Sequence, residues 1–207
     1  MLKDEVYRSI KLRIITQELP PGATVNDKEF IETYNLGKTP LREVFFRLEN
    51  DGLLRRFPRV GTIVAPIDFQ ELREAAEIRL VLENLVGELA VRHITPDLLE
   101  DMRTRADCLE RTVREDQLNQ YVVAEMEMHE ILYRAANNRR LARTISEQQH
   151  LFARMWFSVK REHRDRLNQV EDWRKIYQAL LDRDEARLVE LNRGHFETFY
   201  QYLKARL

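Results

Sequence analysis

Residues that break helices are distributed unevenly along this chain, and their distribution constrains the fold more than any other feature. All six prolines occur by residue 96, and four of the six glycines occur by residue 61. After Ile94 the only breakers are Pro96 and Gly194. A long stretch with so few breakers and with apolar residues at helical spacing is expected to be all-helical. At 207 residues the chain has the length of two small domains, which we place at 1–66 and 67–207.

The second domain is predicted to contain six helices, with seven as the alternative. Their limits are expected near 69–93, 96–114, 116–136, 138–162, 164–183 and 184–206. The connections between them are short, and short connections join neighbours that run antiparallel. The domain is therefore expected to be an all-α antiparallel bundle, which makes the whole protein mainly α.

The first domain has a different order of elements. A helix with Val6, Ile10, Ile14 and Ile15 on one face ends at "ELPPG", and "ATV" is a short strand. Asn26 caps a second helix, "DKEFIETY", and a third helix covers 39–51. Two strands, "LLRRF" and "TIVA", complete the domain. Helix, strand, helix, helix and a two-stranded wing is the order of a winged helix-turn-helix.

The third helix of this domain has a clear inner and outer face. Thr39 suits the N-cap and Pro40 the first helical position. Spacing of i, i+3, i+4 and i+7 predicts a buried stripe of Leu41, Val44, Phe45 and Leu48. The residues left outside are Lys38, Thr39, Arg42 and Arg47.

Arg42 is a cation in the first turn of its helix, where the helix dipole disfavours positive charge by about 0.3–1 kcal/mol. This placement indicates an external anion, and the start of a recognition helix is the part that meets base edges in the major groove of DNA. Lys38 and Arg42 are candidates for guanine contacts, and Thr39 for a phosphate or base contact. The ribbon adds Arg55, Arg56 and Arg59 for the DNA backbone or minor groove. The alternative is local ion pairing among Arg42, Arg47, Glu43 and Asp51.

Composition excludes several other classes of protein. The first residues are too charged for a signal peptide, and no stretch approaches the ~18 apolar residues of a membrane span. A single cysteine, Cys108, rules out an internal disulfide and a cysteine-based zinc site. A cytoplasmic protein with no membrane partner is the expectation. The net charge of −1 means that any nucleic-acid surface depends on the local basic cluster.

Two features of the helical domain are candidates for binding chemistry. Arg79 lies in an apolar stretch and needs an anion if it points inward, because a buried unpaired guanidinium is very costly. That anion is either a carboxylate ligand or its i+4 neighbour Glu83. Glu125 and His129 are also four residues apart, and His195 supplies a third group that could share a metal such as zinc, nickel, manganese or iron. Spacing alone favours ordinary hydrogen bonding for these three residues.

The segments "LPPG", "GKTPLREVFFRLENDGLLRR" and "RVGTIVAP" resemble the winged-helix domain of GntR-type bacterial transcription regulators. The resemblance covers all of 1–66 and implies DNA binding. It adds Lys28, Gly61 and Thr62 to the candidate DNA-binding residues. This chain departs from the family pattern at Gly37, where the family has Ser or Thr, and at Lys38, where it has Arg. Lysine reads guanine less well than arginine, because it is a point charge.

Residues 70–207 resemble the helical FCD-type effector domain that accompanies this winged helix. The matching features are "RLVLE", His129 followed by Asn138, and a last helix that carries a histidine. In metal-binding members of the family, one Asp and three His surround a pocket for small carboxylates. The positions of this set are occupied here by Glu125, His129, Trp173 and His195. Trp173 cannot ligate a metal, because its indole nitrogen only donates.

The resemblance implies a ligand-responsive transcription regulator that binds a twofold-symmetric DNA operator as a homodimer, more often as a repressor. Its effector is expected to be a small organic acid bound near Arg79, Glu125, His129, Trp173 and His195. Because Trp173 replaces a ligand, a site without metal is the expectation, and zinc, nickel or manganese is the alternative. A Glu/His/His hydrolase or lyase is the enzyme alternative, although no nucleophile elbow or phosphate loop is present. An architectural DNA-binding dimer without an effector is the third reading.

Overall fold

The structure, a computed structural model, describes residues 2–59, 61–158 and 162–205. This part of the chain contains nine helices and one three-stranded sheet. It divides into two compact units, which we describe separately. The first unit comprises residues 2–69 together with 150–158, and the second comprises 70–149 and 162–205. The domain limits expected from the sequence, 1–66 and 67–207, stay a prediction.

The first unit has the predicted winged helix-turn-helix order. Its elements are α1 (Leu2–Ile15), β1 (Thr24–Val25), α2 (Asp27–Tyr34), α3 (Lys38–Asn50), β2 (Leu54–Phe57) and β3 (Gly61–Val64). The strands form an antiparallel sheet in the order β1-β3-β2. The wing is therefore a three-stranded sheet and not an isolated two-stranded ribbon, because β1 pairs with the free edge of β3.

The predicted apolar stripes form the core of this unit. On α1, Val6, Ile10 and Ile14 are buried, and α3 packs against α1, α2 and β2. The stripe of α3 is closed to solvent as expected, with 1%, 3%, 1% and 0% exposure for Leu41, Val44, Phe45 and Leu48. Burial of four such side chains contributes several kcal/mol at ~25 cal/mol per Å² of apolar surface, which fixes which face of α3 points outward.

The predicted N-cap of α3 was wrong by two residues. Gly37, with an extended backbone (φ −73°, ψ 162°), is the N-cap, and Lys38 is the first helical residue. Thr39 is therefore inside the first turn and does not cap it. Pro40 is tolerated there because the first four N–H groups of a helix have no partner within the helix. By contrast, the predicted cap of α2 is confirmed, since the Asn26 side chain accepts a hydrogen bond from the Lys28 N–H.

Six helices follow the sheet in the described part of the chain, as predicted. They are α4 (Phe69–His93), α5 (Pro96–Arg114), α6 (Leu118–Ala135), α7 (Arg139–Ser158), α8 (His163–Leu181) and α9 (Glu185–Lys204). The predicted helices extended over residues 159–161 and 206, which lie outside the described residues. Within the second unit, α5 packs against α6 and α8, and α8 packs against α9. None of the described helices combines the length and the hydropathy needed to cross a membrane.

Helix α4 approaches α9 closely at Gly87. A Cβ atom added there would lie 3.0 Å from the Val189 Cα, which is closer than nearly all real contacts of this kind. The glycine therefore sets the distance between α4 and α9 and, with it, the distance between the polar side chains that these helices point inward.

The last part of α7 packs within the first unit, a feature that the sequence did not indicate. The Arg154 guanidinium donates to the Ala65 carbonyl, and the Gln17 amide donates to the Arg154 carbonyl at 3.3 Å. Phe152 and Trp156, predicted to be core residues, are 2% and 6% exposed. Residues 150–158 thus belong to the first unit.

Candidate nucleic-acid interface and buried charge cluster

The start of α3 presents unpaired donors to solvent. Gly37 has no side chain to cap the helix, and Lys38 and Thr39 are exposed. The first backbone N–H groups of a helix point outward and carry partial positive charge, which makes this end a binding site for anions. A lysine at this end adds a full charge, so the start of α3 is suited to phosphate or to the acceptor atoms of a base.

Among the described residues, Arg42 takes no part in the ion pairs that surround α3. Arg47 donates to Asp4 at 2.8 Å and stacks 3.7 Å above the Tyr7 ring, so α1 supplies its partners. Glu43 pairs with Lys3 at 2.6 Å, also on α1. Arg42 is exposed and makes no hydrogen bond or ion pair with any residue of the described ranges, 2–59, 61–158 and 162–205. Local ion pairing therefore accounts for Arg47, whereas Arg42 remains available to bind an external anion.

Arg42 and residues of the wing line one groove. The groove has a volume of about 880 Å³, and the candidate residues that line it are Arg42, Arg56, Arg59, Gly61 and Thr62. The Thr62 side chain is only 8% exposed and belongs to the floor of the groove. The other candidates, Lys28, Lys38, Thr39, Arg47 and Arg55, do not line it. Three arginines thus face one groove that runs between α3 and the sheet.

The wing tip holds an arginine in a backbone conformation that costs energy. Arg59 has φ +66°, in the left-handed region, and Gly61 has φ +102°. A side chain in this region costs roughly 1–2 kcal/mol, whereas glycine has no such penalty. A guanidinium held at a tight turn in spite of this cost is consistent with a role for the side chain in binding.

In the second unit, the buried carboxylate of Glu83 is the centre of a polar network. Arg79, 2% exposed, donates to Glu83 Oε1 at 2.9 Å and to the Tyr133 hydroxyl at 2.9 Å. Asn192 on α9 donates to Glu83 Oε2 at 2.7 Å. Arg79 also lies 4.5 Å above the Phe196 ring. Arg79 points inward as considered from the sequence, and Glu83 supplies the anion that it needs.

Glu125, His129 and His195 meet beside this network. Glu125 and His129 come from successive turns of α6, and His195 comes from α9. The Nε2 atom of His129 lies 2.9 Å from Glu125 Oε1, and that of His195 lies 3.8 Å from the same oxygen. One ligand atom from each residue lies within 4.8 Å of the others, a spacing that a metal ion can bridge. The Glu125 side chain is 18% exposed, against 6% and 4% for the histidines, and gives the cluster its access to solvent.

The three groups have opposed protonation preferences. Burial raises the pKa of Glu125, but the facing imidazoles of His129 and His195 outweigh burial and hold that pKa far below its usual range. Burial lowers the pKa of His129 in spite of Glu125. Burial also opposes the charged form of His195, but Asp172 and Glu125 outweigh it and raise the pKa of His195. Both shifts favour an ionised Glu125 facing the cationic form of His195.

The outer nitrogens of both histidines face oxygen atoms. His129 Nδ1 lies 3.3 Å from the Tyr133 hydroxyl, and His195 Nδ1 lies 3.7 Å from Asp172 Oδ2. Metal-binding histidines usually have a hydrogen-bond partner on the nitrogen that does not bind the metal, because it fixes the ring and the tautomer. Tyr133 is such a partner for His129, whereas Asp172 is too far from His195 Nδ1 for a hydrogen bond. On the inner side, the Nε2 atoms of His129 and His195 and the Oε1 atom of Glu125 form a set of metal ligands that suits zinc, nickel or manganese. The residues present therefore fit a three-ligand metal site.

Trp173, at the position where the resemblance implies a fourth ligand, packs against the cluster. Its ring lies 4.7 Å from the His129 ring and 5.0 Å from the His195 ring between centroids, and it is fully buried. Its Nε1 atom has no hydrogen-bond acceptor among the described residues. The indole narrows the space beside the three donors but leaves their inner atoms facing one another.

Sequence reasoning missed Tyr133, Asn192 and Asp172. Tyr133 could have been predicted from the sequence, because it follows His129 by four residues and therefore shares its helical face. Asn192 and Asp172 carry no signal of their own, since their roles depend on how α8 and α9 meet α4 and α6.

Known families match both parts of the chain. The family described as "Bacterial regulatory proteins, gntR family" matches residues 2–64, and the family described as "FCD domain" matches residues 74–198. This chain is a GntR-family transcriptional regulator with an FCD domain. The fold and the resemblance expected from the sequence are thereby confirmed.

Relatives of this GntR-family regulator extend over different shares of the chain. The uncharacterized regulator YdhC of Bacillus subtilis is 22% identical over 97% of this chain and 90% of its own length. The repressor RspR of Escherichia coli is 24% identical, and the probable D-xylose utilization operon repressor of Paenarthrobacter nicotinovorans is 31% identical. These two matches cover 66% and 67% of this chain but only 60% and 61% of the relatives. The solved structure of E. coli McbR/YncC is 20% identical, with a TM-score of 0.86 over 100% of this chain and 98% of its own.

The Arg79–Glu83 pair allows a direct test of internal charge balance. We expect Arg79→Met to lower the free energy of unfolding by about 3–5 kcal/mol, because Glu83 is left buried without its partner. The double variant Arg79→Met, Glu83→Leu removes both charges and should recover most of that loss. Denaturant unfolding of the three proteins measures both effects. A double variant no more stable than the single one would mean that Glu83 is not the main partner of Arg79.

Proposed function

We propose that this GntR-family regulator is an operator-specific repressor whose DNA affinity is controlled by a small organic acid. The observation that carries the DNA-binding part is Arg42. It lies in the first half of α3, it is exposed, and among the described residues it has no internal partner. The local alternative fails to account for it, because α1 supplies the partners of Arg47 and Glu43.

The reading mode follows from the direction of α3. Arg42 and Lys38 face the major groove, where an arginine fork matches the O6 and N7 atoms of guanine. Thr39 and the open N–H groups of the first turn bind phosphate. Arg56 and Arg59 on the wing contact the backbone or the minor groove of the same half-site. Repression is supported by relatives described as repressors, RspR and the xylose and gluconate operon proteins.

A homodimer supplies the second half-site. Ile78, Val81 and Leu85 lie on one face of α4 and are 52%, 67% and 38% exposed. Their spacing of three and four residues makes them a continuous apolar stripe, which we call the α4 stripe. A second copy that covers this stripe with its own would bury apolar surface and hold two recognition helices for a twofold-symmetric operator.

The effector site that we propose is the cluster of Glu125, His129 and His195, which would hold a divalent metal. Three protein ligands would leave positions open, and the metal would supply the positive charge that a carboxylate needs there. Arg79 is assigned to holding Glu83 and Tyr133 in place, because its charge is already balanced. Tyr133 in turn fixes His129 through its Nδ1 atom. The effector changes DNA affinity only by the difference between its affinities for the two states of the dimer.

Arg42 and Arg47 form a matched pair for testing DNA reading. We expect Arg42→Ala to weaken binding to an in-vitro-selected site by about 1–3 kcal/mol and binding to random DNA much less, because a base contact is lost. Arg47→Ala removes the same charge from the same helix but should leave the ratio of specific to random affinity unchanged. Titrations at one fixed salt concentration measure the six affinities of the unaltered protein and both variants for the two DNAs. If Arg42→Ala weakens both DNAs equally, Arg42 is a phosphate contact.

The dimer is tested by a charge in the α4 stripe. We expect Val81→Glu to convert the dimer to monomer at micromolar concentration, since a buried unpaired carboxylate is costly. Leu167→Glu, which changes an isolated apolar residue on α8 that is 47% exposed, is the control and should leave the mass unchanged. Sedimentation equilibrium gives the mass directly. A dimeric Val81→Glu protein would place the interface elsewhere.

A further inference from the structure

Phe46 is an apolar residue on the outer face of the recognition helix. It is 61% exposed, although the buried stripe of α3 is complete without it. A helix turns by about 100° per residue, and the four buried positions of α3 are centred on the side opposite to Phe46. Its side chain is therefore directed outward by the packing of α3 and not by a local irregularity.

Phe46 lies on the same face as the groove-lining residues of α3. Arg42 precedes it by four residues and Glu49 follows it by three, and both line the groove between α3 and the wing. Residues three and four apart are neighbours on a helix surface. Phe46 therefore continues the ridge that starts at Arg42, one turn further along the helix.

The chemistry of a phenyl ring limits what it can read in DNA. The ring has no hydrogen-bond donor or acceptor, so it cannot form hydrogen bonds with phosphates or with the polar edges of bases. In the major groove the apolar group that distinguishes one base pair from the others is the C5-methyl of thymine. An exposed phenyl on the groove-facing ridge thus matches a thymine methyl and no other feature of the groove.

We propose that Phe46 is a specificity-determining residue that reads the C5-methyl group of one thymine in each operator half-site. This assignment rests on the proposed function, in which α3 lies in the major groove. Four helical residues advance about 6 Å along the axis, and successive base pairs are about 3.4 Å apart. The thymine therefore lies about one or two base pairs from the base that Arg42 contacts.

Removal of single methyl groups from the DNA tests the proposal without a change of base pairing. A site is first selected from random duplexes with the full chain, and each thymine of that site is then replaced, one at a time, by deoxyuridine. For the unaltered protein we expect one replacement per half-site to raise the Kd about fourfold, the value of one buried methyl group. The Phe46→Ala protein should bind the unmodified site more weakly and should not respond to that same replacement.

Phe69→Ala is the matched control, because Phe69 is exposed to a similar degree, 58%, and lies outside α3. It should keep the full response to deoxyuridine. Thermal unfolding of Phe46→Ala should match the unaltered protein, since the side chain is mostly outside the core.

Four results would count against the proposal. If no thymine methyl affects binding, or if its removal costs the Phe46→Ala protein the same factor, Phe46 does not read the methyl group. Normal DNA binding by Phe46→Ala would place the residue outside the interface, on a surface for another macromolecule. Failure to select any sequence would overturn the proposed function itself, which separates that failure from an error about Phe46 alone.

Discussion

The helical domain depends on one buried negative charge. Glu83 is 0% exposed, and its carboxylate is held by an arginine, a tyrosine and an asparagine from α4, α6 and α9. A carboxylate without such partners would cost several kcal/mol in this environment, so the three helices are constrained to one arrangement. Tyr133 extends that constraint to His129, and through it to Glu125 and His195. The geometry of the candidate effector site is thus determined by a network that does not itself need a ligand.

A corresponding division of charges shapes the DNA-binding unit. Helix α1 supplies Lys3 and Asp4, which pair with Glu43 and Arg47 of α3. These pairs join α1 to α3 and leave Arg42 without an internal partner among the residues described. The second unit likewise brings a few charged groups together, with Glu125 beside His129 and His195.

The fold could be predicted from the sequence because its determinants are local. The stripe of α3 and the lack of breakers after Ile94 predict the helices directly, and the winged-helix order follows from the turns between them. The N-cap of α3 was placed two residues late, because Thr39 is a better N-cap by composition than Gly37. Packing of residues 150–158 within the first unit was not predictable, since it depends on contacts between distant parts of the chain.

The three candidate metal ligands could be predicted from the sequence, but the charge balance and packing around them could not. The spacing of Glu125 and His129 places them on one face, and the family resemblance adds His195. That Arg79 would be balanced by Glu83 inside the protein required knowledge of burial, because the same i, i+4 spacing on a surface gives a pair worth only a few tenths of a kcal/mol. The role of Trp173 also required the structure, which places its ring against both histidines.

The central proposal is that Glu125, His129 and His195 would hold a metal that anchors the effector, although Trp173 lies where the family resemblance implies a fourth ligand. Metal content per subunit, measured by mass spectrometry on protein purified without chelators or an affinity tag that binds metal, tests it most directly. The account predicts close to one equivalent of zinc, nickel or manganese in the unaltered protein and its loss in His195→Ala, with His163→Ala, at an exposed histidine on α8, unaffected. Protein that is folded and free of metal, and that takes up none when zinc, nickel or manganese is added, would contradict it and would show that Trp173 has closed the site.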